Sequence, residues 1–168
     1  MFEAIPHVVA RNPGVRFVLV GVAETDAMEP VVRSAAERLG VTRYIEFLGS
    51  LDGRAKGVAF LSSHMLVVPS WTEAFPLVIP EAMAAGLPIV ATRVGAIADF
   101  VIDGEDGFLV PVRDARALAD RLCRLLEDEA LRRRISARVR ARAPREFAVE
   151  VGCAKVAEVA WTTLGKKN

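Results

Sequence analysis

The stretch "MLVVPSWTEAFPLVIPEAMAAGLPIVATRVG", residues 65–95, decides the fold class. "MLVVPS" is an apolar, β-branched run closed by proline and serine, and "PIVATRVG" is a second one closed by glycine, so both read as strands. Between them, residues 77–85 are alanine-rich and stop at Gly86, which reads as a helix with a glycine C-terminal stop. Pro80 lacks an N–H and would clash inside a helix, so it belongs to the first turn and places the helix start near Pro76 or Leu77. Parallel neighbours need such crossover connections, so this unit predicts an α/β chain.

Working outward, the same alternation continues in both directions. Residues 2–11 read as the tail of a helix stopped at "NPG", followed by a strand in "VRFVLVG". Residues 27–39 carry Met28, Val31, Val32, Ala35, Ala36 and Leu39 at helical spacing before Gly40, "YIEFLG" is the next strand, and 54–62 a short helix. Beyond the central unit, "AIADFVI" reads as a short helix, "DGEDG" as a turn and "FLVP" as a closing strand. Three helical stretches follow, near 114–126, 128–142 and 146–164. The expected architecture is a mostly parallel sheet of about five strands with helices on both faces, and no internal repeat or linker divides it.

The 168 residues fit one domain of ordinary size. A hydrophobic share of 52% and a mean hydropathy of +0.31 imply either a sheet covered on both faces or apolar surface that expects a partner. A net charge of +1 gives no nucleic-acid footprint. Cys123 and Cys153 have neither CxxC nor zinc-ligand spacing and read as buried free thiols of a reducing, cytoplasmic protein. The longest apolar stretch, "VAFLSSHMLVVP", falls short of the roughly 20 residues a spanning helix needs, and no signal peptide is read at the start. The arginine-dense region Arg121–Arg145 reads first as a solvated helix face and second as a patch for acidic lipid head groups, a peripheral contact at the inner membrane face.

Two carboxylates frame the central loop. Glu73 precedes the helix start and Glu81 lies eight positions later, inside the helix. In sheets of this class ligands sit at the carboxyl ends of strands, where loops enter helices. A helix start near Leu77 would leave the amides of Leu77, Val78 and Ile79 free, an arrangement that favours an anion such as a diphosphate. Glu73 and Glu81 then suit hydroxyls, because a carboxylate accepts hydrogen bonds from a sugar or ribose diol. The plainer alternative is that Glu73 caps the helix and Glu81 is an ordinary surface residue. A glycosidase acid–base pair is disfavoured, since nothing in this spacing holds two carboxylates across one bond at about 5–9.5 Å.

From Asn12 to about Leu164 the chain resembles the C-terminal half of a retaining, nucleotide-sugar-dependent glycosyltransferase of family 4 (group 1), whose GT-B fold is two facing Rossmann-like domains. The resemblance rests on "NPGVRFVLVG", "YIEFLGSL", "MLVVPS", "EAFPLVIPEAMAAGLPIVATRVGAIADFVIDGEDGFLVP" and "DARALADRLCRLLED", in family order; the central one carries the two glutamates framing seven residues, the family's EX7E motif. It implies that Glu73, the catalytic-position residue, faces the hydroxyls of the transferred sugar and that Glu81 faces the nucleotide ribose. Ala74, Phe75, Pro76, Leu77 and Val78 would form the loop over sugar and phosphates, and Phe47, Leu48 and Gly49 a backbone wall beside the base. The substrate would be a UDP- or GDP-linked sugar, with no cofactor and no metal.

The departures from the family are as informative. No opening strand with an arginine–lysine loop precedes residue 12, and the acceptor-binding N-terminal domain is missing from the sequence. A missing first strand beside "FVLVG" implies a gap, a rearranged pairing or a place for another chain. His64 stands where aspartate is usual, Pro80 where an aliphatic is usual, and "GVAETD" lacks a common second glycine. Transfer by this chain alone is therefore not expected. Two competing readings are a non-catalytic nucleotide-sugar-binding or assembly module that pairs with a separate chain, motivated by Val151, Val156, Val159 and Trp161, and a related nucleotide-sugar epimerase or hydrolase.

Overall fold

The computed structural model describes residues 1–21 and 28–147. From residue 148 onward, the helix expected near 146–164 lies outside the described residues, as do Cys153 and the apolar residues that motivated a pairing module. A 3-10 turn, Phe2–Ala4, leads into α1 (Ile5–Arg11), β1 (Phe17–Val20), α2 (Met28–Arg38), β2 (Ile45–Gly49) and α3 (Gly53–Leu61). The chain continues through β3 (Leu66–Val68), α4 (Val78–Ala84), β4 (Ile89–Thr92), α5 (Ile97–Phe100), β5 (Gly107–Val110), α6 (Ala115–Glu127) and α7 (Glu129–Glu146).

Among the described residues every strand pairing is parallel, as the alternation predicts, and the strands number five. They do not form one sheet. β1 pairs with β2 in a two-stranded sheet, and β3, β4 and β5 form a three-stranded one with β4 at its centre. Of the three outcomes expected without a first strand, the gap is the one realised: β1 and β3 each have a ladder on one side, and no ladder joins them.

Burial follows this division. All four residues of β4 and of β5 are buried. Because successive side chains point to opposite faces, both faces of these strands are covered. In β1, Val18 and Val20 are 42% and 46% exposed, so the smaller sheet keeps apolar surface in water. Ile79 and Met83 of α4, Leu122, Cys123 and Leu125 of α6, and Ile135 and Val139 of α7 join β4 in the core. Burial also pushes the Cys123 thiol up, although Asn12 Nδ2 lies 3.5 Å from its sulfur. The thiol expectation holds for Cys123, which is free and buried.

Helix α7 corrects the expected stop near 142, running to Glu146 with Pro144 inside its last turns. Tertiary contacts override the proline there: Val139 and Ala143 are buried, and Arg142 is anchored on Asp106 and on the Phe100 carbonyl. Asp106, within the "DGEDG" turn, is fully buried and accepts from the Ile102 amide at 2.9 Å, from Arg138 Nε at 3.3 Å and from Arg142 Nη1. The arginine-rich stretch is therefore largely committed to the fold. Arg132 donates to the Leu125 and Leu126 carbonyls at the end of α6, and Arg133 pairs with Glu129.

Candidate functional site

The loop from Pro69 to Leu77 leaves the carboxyl end of β3, and the first turn of the loop after β4 meets it. Thr92 Oγ1, at the end of β4, donates to the Ser70 carbonyl, and Ser70 Oγ donates to Glu73 Oε2 at 3.3 Å. Gly95 completes the grip on Glu73. Its φ is +48°, and a Cβ there would lie 1.7 Å from the Glu73 carbonyl oxygen, so only glycine permits this approach. Two strand ends thus fix one loop carboxylate that remains half-exposed.

After Glu73, Ala74 is exposed, Pro76 is buried, and the Phe75 ring meets Phe100 edge-on with centroids 5.0 Å apart. Phe75 and Leu77 are each 63% exposed, and Val78 is half-buried. Helix α4 begins at Val78 with Leu77 as its N-cap, within one residue of the start expected from Pro80. The expectation of three free amides is corrected, however. The Leu77 amide donates to the Phe75 carbonyl and the Ile79 amide to the Pro76 carbonyl, each at 3.0 Å, which leaves Val78 as the amide of this turn without an acceptor among the described residues. A tight turn at Pro76 closes two donors on itself, and a seven-residue helix adds little dipole. The local anion preference is narrower than the sequence suggested.

Glu81 lies in the first turn of α4 and is not an unattended surface residue. Lys56 Nζ of α3 stands 2.6 Å from its Oε1, the two side chains being 34% and 40% exposed. Sequence reasoning missed Lys56 because α3 is nearly even in polarity around its axis, so periodicity does not say which face turns toward α4. It also missed Ser70, Thr92 and Gly95, whose roles arise from contacts across strands.

Phe47, Leu48 and Gly49 form the carboxyl end of β2, in the smaller sheet. Gly49 has φ +67°, and its carbonyl accepts from the Gly21 amide at 2.8 Å. The Arg33 guanidinium lies over the Phe47 ring at 4.3 Å. No described bond brings these three residues to Glu73, and the Lys56–Glu81 pair joins the helix after β2 to the helix after β3. His64 is exposed and outside this constellation. At the rim, Arg113 takes a left-handed φ of 60° and places its guanidinium 4.4 Å from the exposed Trp71 ring.

Residues 1–128 match the family described as "Glycosyl transferases group 1". The chain belongs to the group 1 glycosyl transferases. A phosphatidyl-myo-inositol mannosyltransferase of Mycobacterium leprae is 38% identical over 135 residues, covering 80% of this chain and 34% of its own length. This group 1 chain therefore spans about a third of that relative. Among solved structures, sucrose-phosphate synthase from Thermosynechococcus elongatus superposes with a TM-score of 0.85 at 29% identity, over 99% of this chain and 43% of the other. Anabaena HepE, solved in complex with UDP, gives a TM-score of 0.85 at 26% identity over 95% of this chain and 44% of the other. Group 1 membership bears out the resemblance at the level of the group 1 glycosyltransferases, and these neighbours bear out the α/β fold. Among the described residues, no helix is long and apolar enough to cross a membrane.

Proposed function

We propose that this chain is a single nucleotide-sugar-binding domain, residues 1–168, that supplies the donor half of a retaining glycosyltransferase whose acceptor-binding half lies outside these residues. Glu73, held by Ser70 and Gly95, meets hydroxyls of the transferred sugar, and Glu81 meets the ribose diol. The loop Ala74–Val78 passes over sugar and phosphates, and Phe47–Gly49 flank the base. The observation that carries this reading is the pairing of the family match over 1–128 with two glutamates in the loop and helix that follow β3, one fixed by backbone packing and the other met by a lysine. The HepE complex with UDP supports a nucleotide ligand on this fold.

The chemistry expected is charge stabilisation rather than proton transfer. As the bond to the diphosphate breaks, negative charge grows on the leaving phosphate, where a donor already pointed at it lowers the barrier. Within this chain the free Val78 amide fits that role. The domain is cytoplasmic in this reading, with membrane contact restricted to exposed arginines such as Arg134 and Arg145. Isothermal calorimetry with UDP and GDP tests it: binding of one at sub-millimolar level is expected, and a folded sample giving no heat with either at millimolar concentration refutes it.

A second reading, an assembly module that pairs with a separate chain, is favoured by the open edges of β1 and β3. Light scattering discriminates the two, because a strict monomer with low binding of a hydrophobic dye contradicts an unsatisfied partner surface.

A further inference from the structure

We infer that Lys56 is a positioning residue that sets Glu81 for the ribose diol. The inference rests on the nucleotide-sugar reading above and extends it to a residue on a different helix. A carboxylate has two oxygens and can turn about its terminal bond, so an unrestrained Glu81 would meet a diol in many orientations. Lys56 Nζ at 2.6 Å from Oε1 removes that freedom with a charge-assisted hydrogen bond and leaves Oε2 to accept from a ligand. Both side chains stay part-exposed at 34% and 40%, so the pair lies within reach of a bound molecule rather than sealed in the core.

The placement argues for more than a surface ion pair. Lys56 stands on α3, which follows β2 and so moves with the Phe47–Gly49 wall, whereas Glu81 stands on α4 after β3. No ladder joins those two sheets. The contact bridges the helix after the base wall and the helix that carries the ribose carboxylate, the two sides that a nucleoside must match at once.

Calorimetry with a nucleoside and its diphosphate, uridine with UDP and guanosine with GDP, separates the possibilities in wild type, Lys56→Met, Lys56→Arg, Glu81→Gln and the double variant Lys56→Met/Glu81→Gln. Lys56→Met is expected to weaken nucleoside and diphosphate alike by about tenfold, Lys56→Arg to recover most of that loss, and the methionine change to add less than about twofold once Glu81 is glutamine. Circular dichroism of each variant checks that the fold persists. Unchanged affinity in Lys56→Met, a loss confined to the diphosphate, or a full additional loss in the double variant overturns the inference, the last two by showing that Lys56 meets phosphate directly or acts without Glu81. If wild type binds neither partner of either pair, the nucleotide reading itself fails; if Glu81→Gln loses affinity while Lys56→Met does not, that reading stands and the Lys56 inference alone falls.

Discussion

Gly95 and Glu73 touch through their backbones: a single methylene added at Gly95 would overlap the Glu73 carbonyl oxygen. The loop after β4 thereby fixes the loop after β3, and the position of Glu73, the carboxylate proposed to face the sugar, depends on a residue that has no side chain. Gly95→Ala carries two costs, the left-handed φ of +48° and the overlap itself, of order 1–3 kcal/mol for the strained backbone alone. Urea denaturation should show that loss. Calorimetry should show that sugar-nucleotide affinity falls while the bare nucleoside is held as before, because Glu81 is untouched.

Asp106 makes a second prediction. It is buried with no exposed surface and held by Arg138, Arg142 and the Ile102 amide, so it ties α7 to the turn before β5. Asp106→Ala strands the partly buried Arg142 guanidinium without its acid, and removing one partner of such a pair costs about 3–5 kcal/mol. A shift of the urea midpoint at unchanged slope is the expected result, and a loss under about 1 kcal/mol would contradict the buried anchor.

A third concerns acid. The Arg11 guanidinium hydrogen-bonds both oxygens of Glu127, at 3.0 and 2.6 Å, and holds its carboxyl below the usual value of 4.5. A depressed folded value means that the pair contributes stability above the unfolded value and loses it as pH falls through the folded one. Glu127→Gln should therefore lower Tm at pH 7, and the gap to wild type should narrow as pH falls below the usual value of 4.5. A gap that does not narrow with acid would show that the effect is not titration of this group.

The open edges give a fourth. About half of the amides of a parallel strand point to each side, so β1 and β3 each have a row without a partner. Hydrogen exchange should be fast for those rows and slow throughout β4, which is paired on both sides and buried. Slow exchange along both outer rows would mean that the two sheets join in solution.

The sequence by itself determined the local and the repetitive features. The alternation of β-branched runs with alanine-rich or amphipathic stretches placed the strands and helices, Gly86 marked a real stop at φ +84°, and Pro80 located the start of α4 within a residue. Those signals are legible because each rests on one residue's backbone or on a short period. It also gave the two glutamates, through their spacing in a long motif. What only the tertiary structure decided was contact across elements. The sheet divides in two because pairing depends on a neighbour distant in sequence. Two of three expected amides are taken by the Pro76 turn, α7 runs past Pro144 on buried contacts, and Lys56 meets Glu81 across helices that no periodic pattern relates. Hydrogen-bond valence is satisfied in space, and a linear pattern does not say by whom.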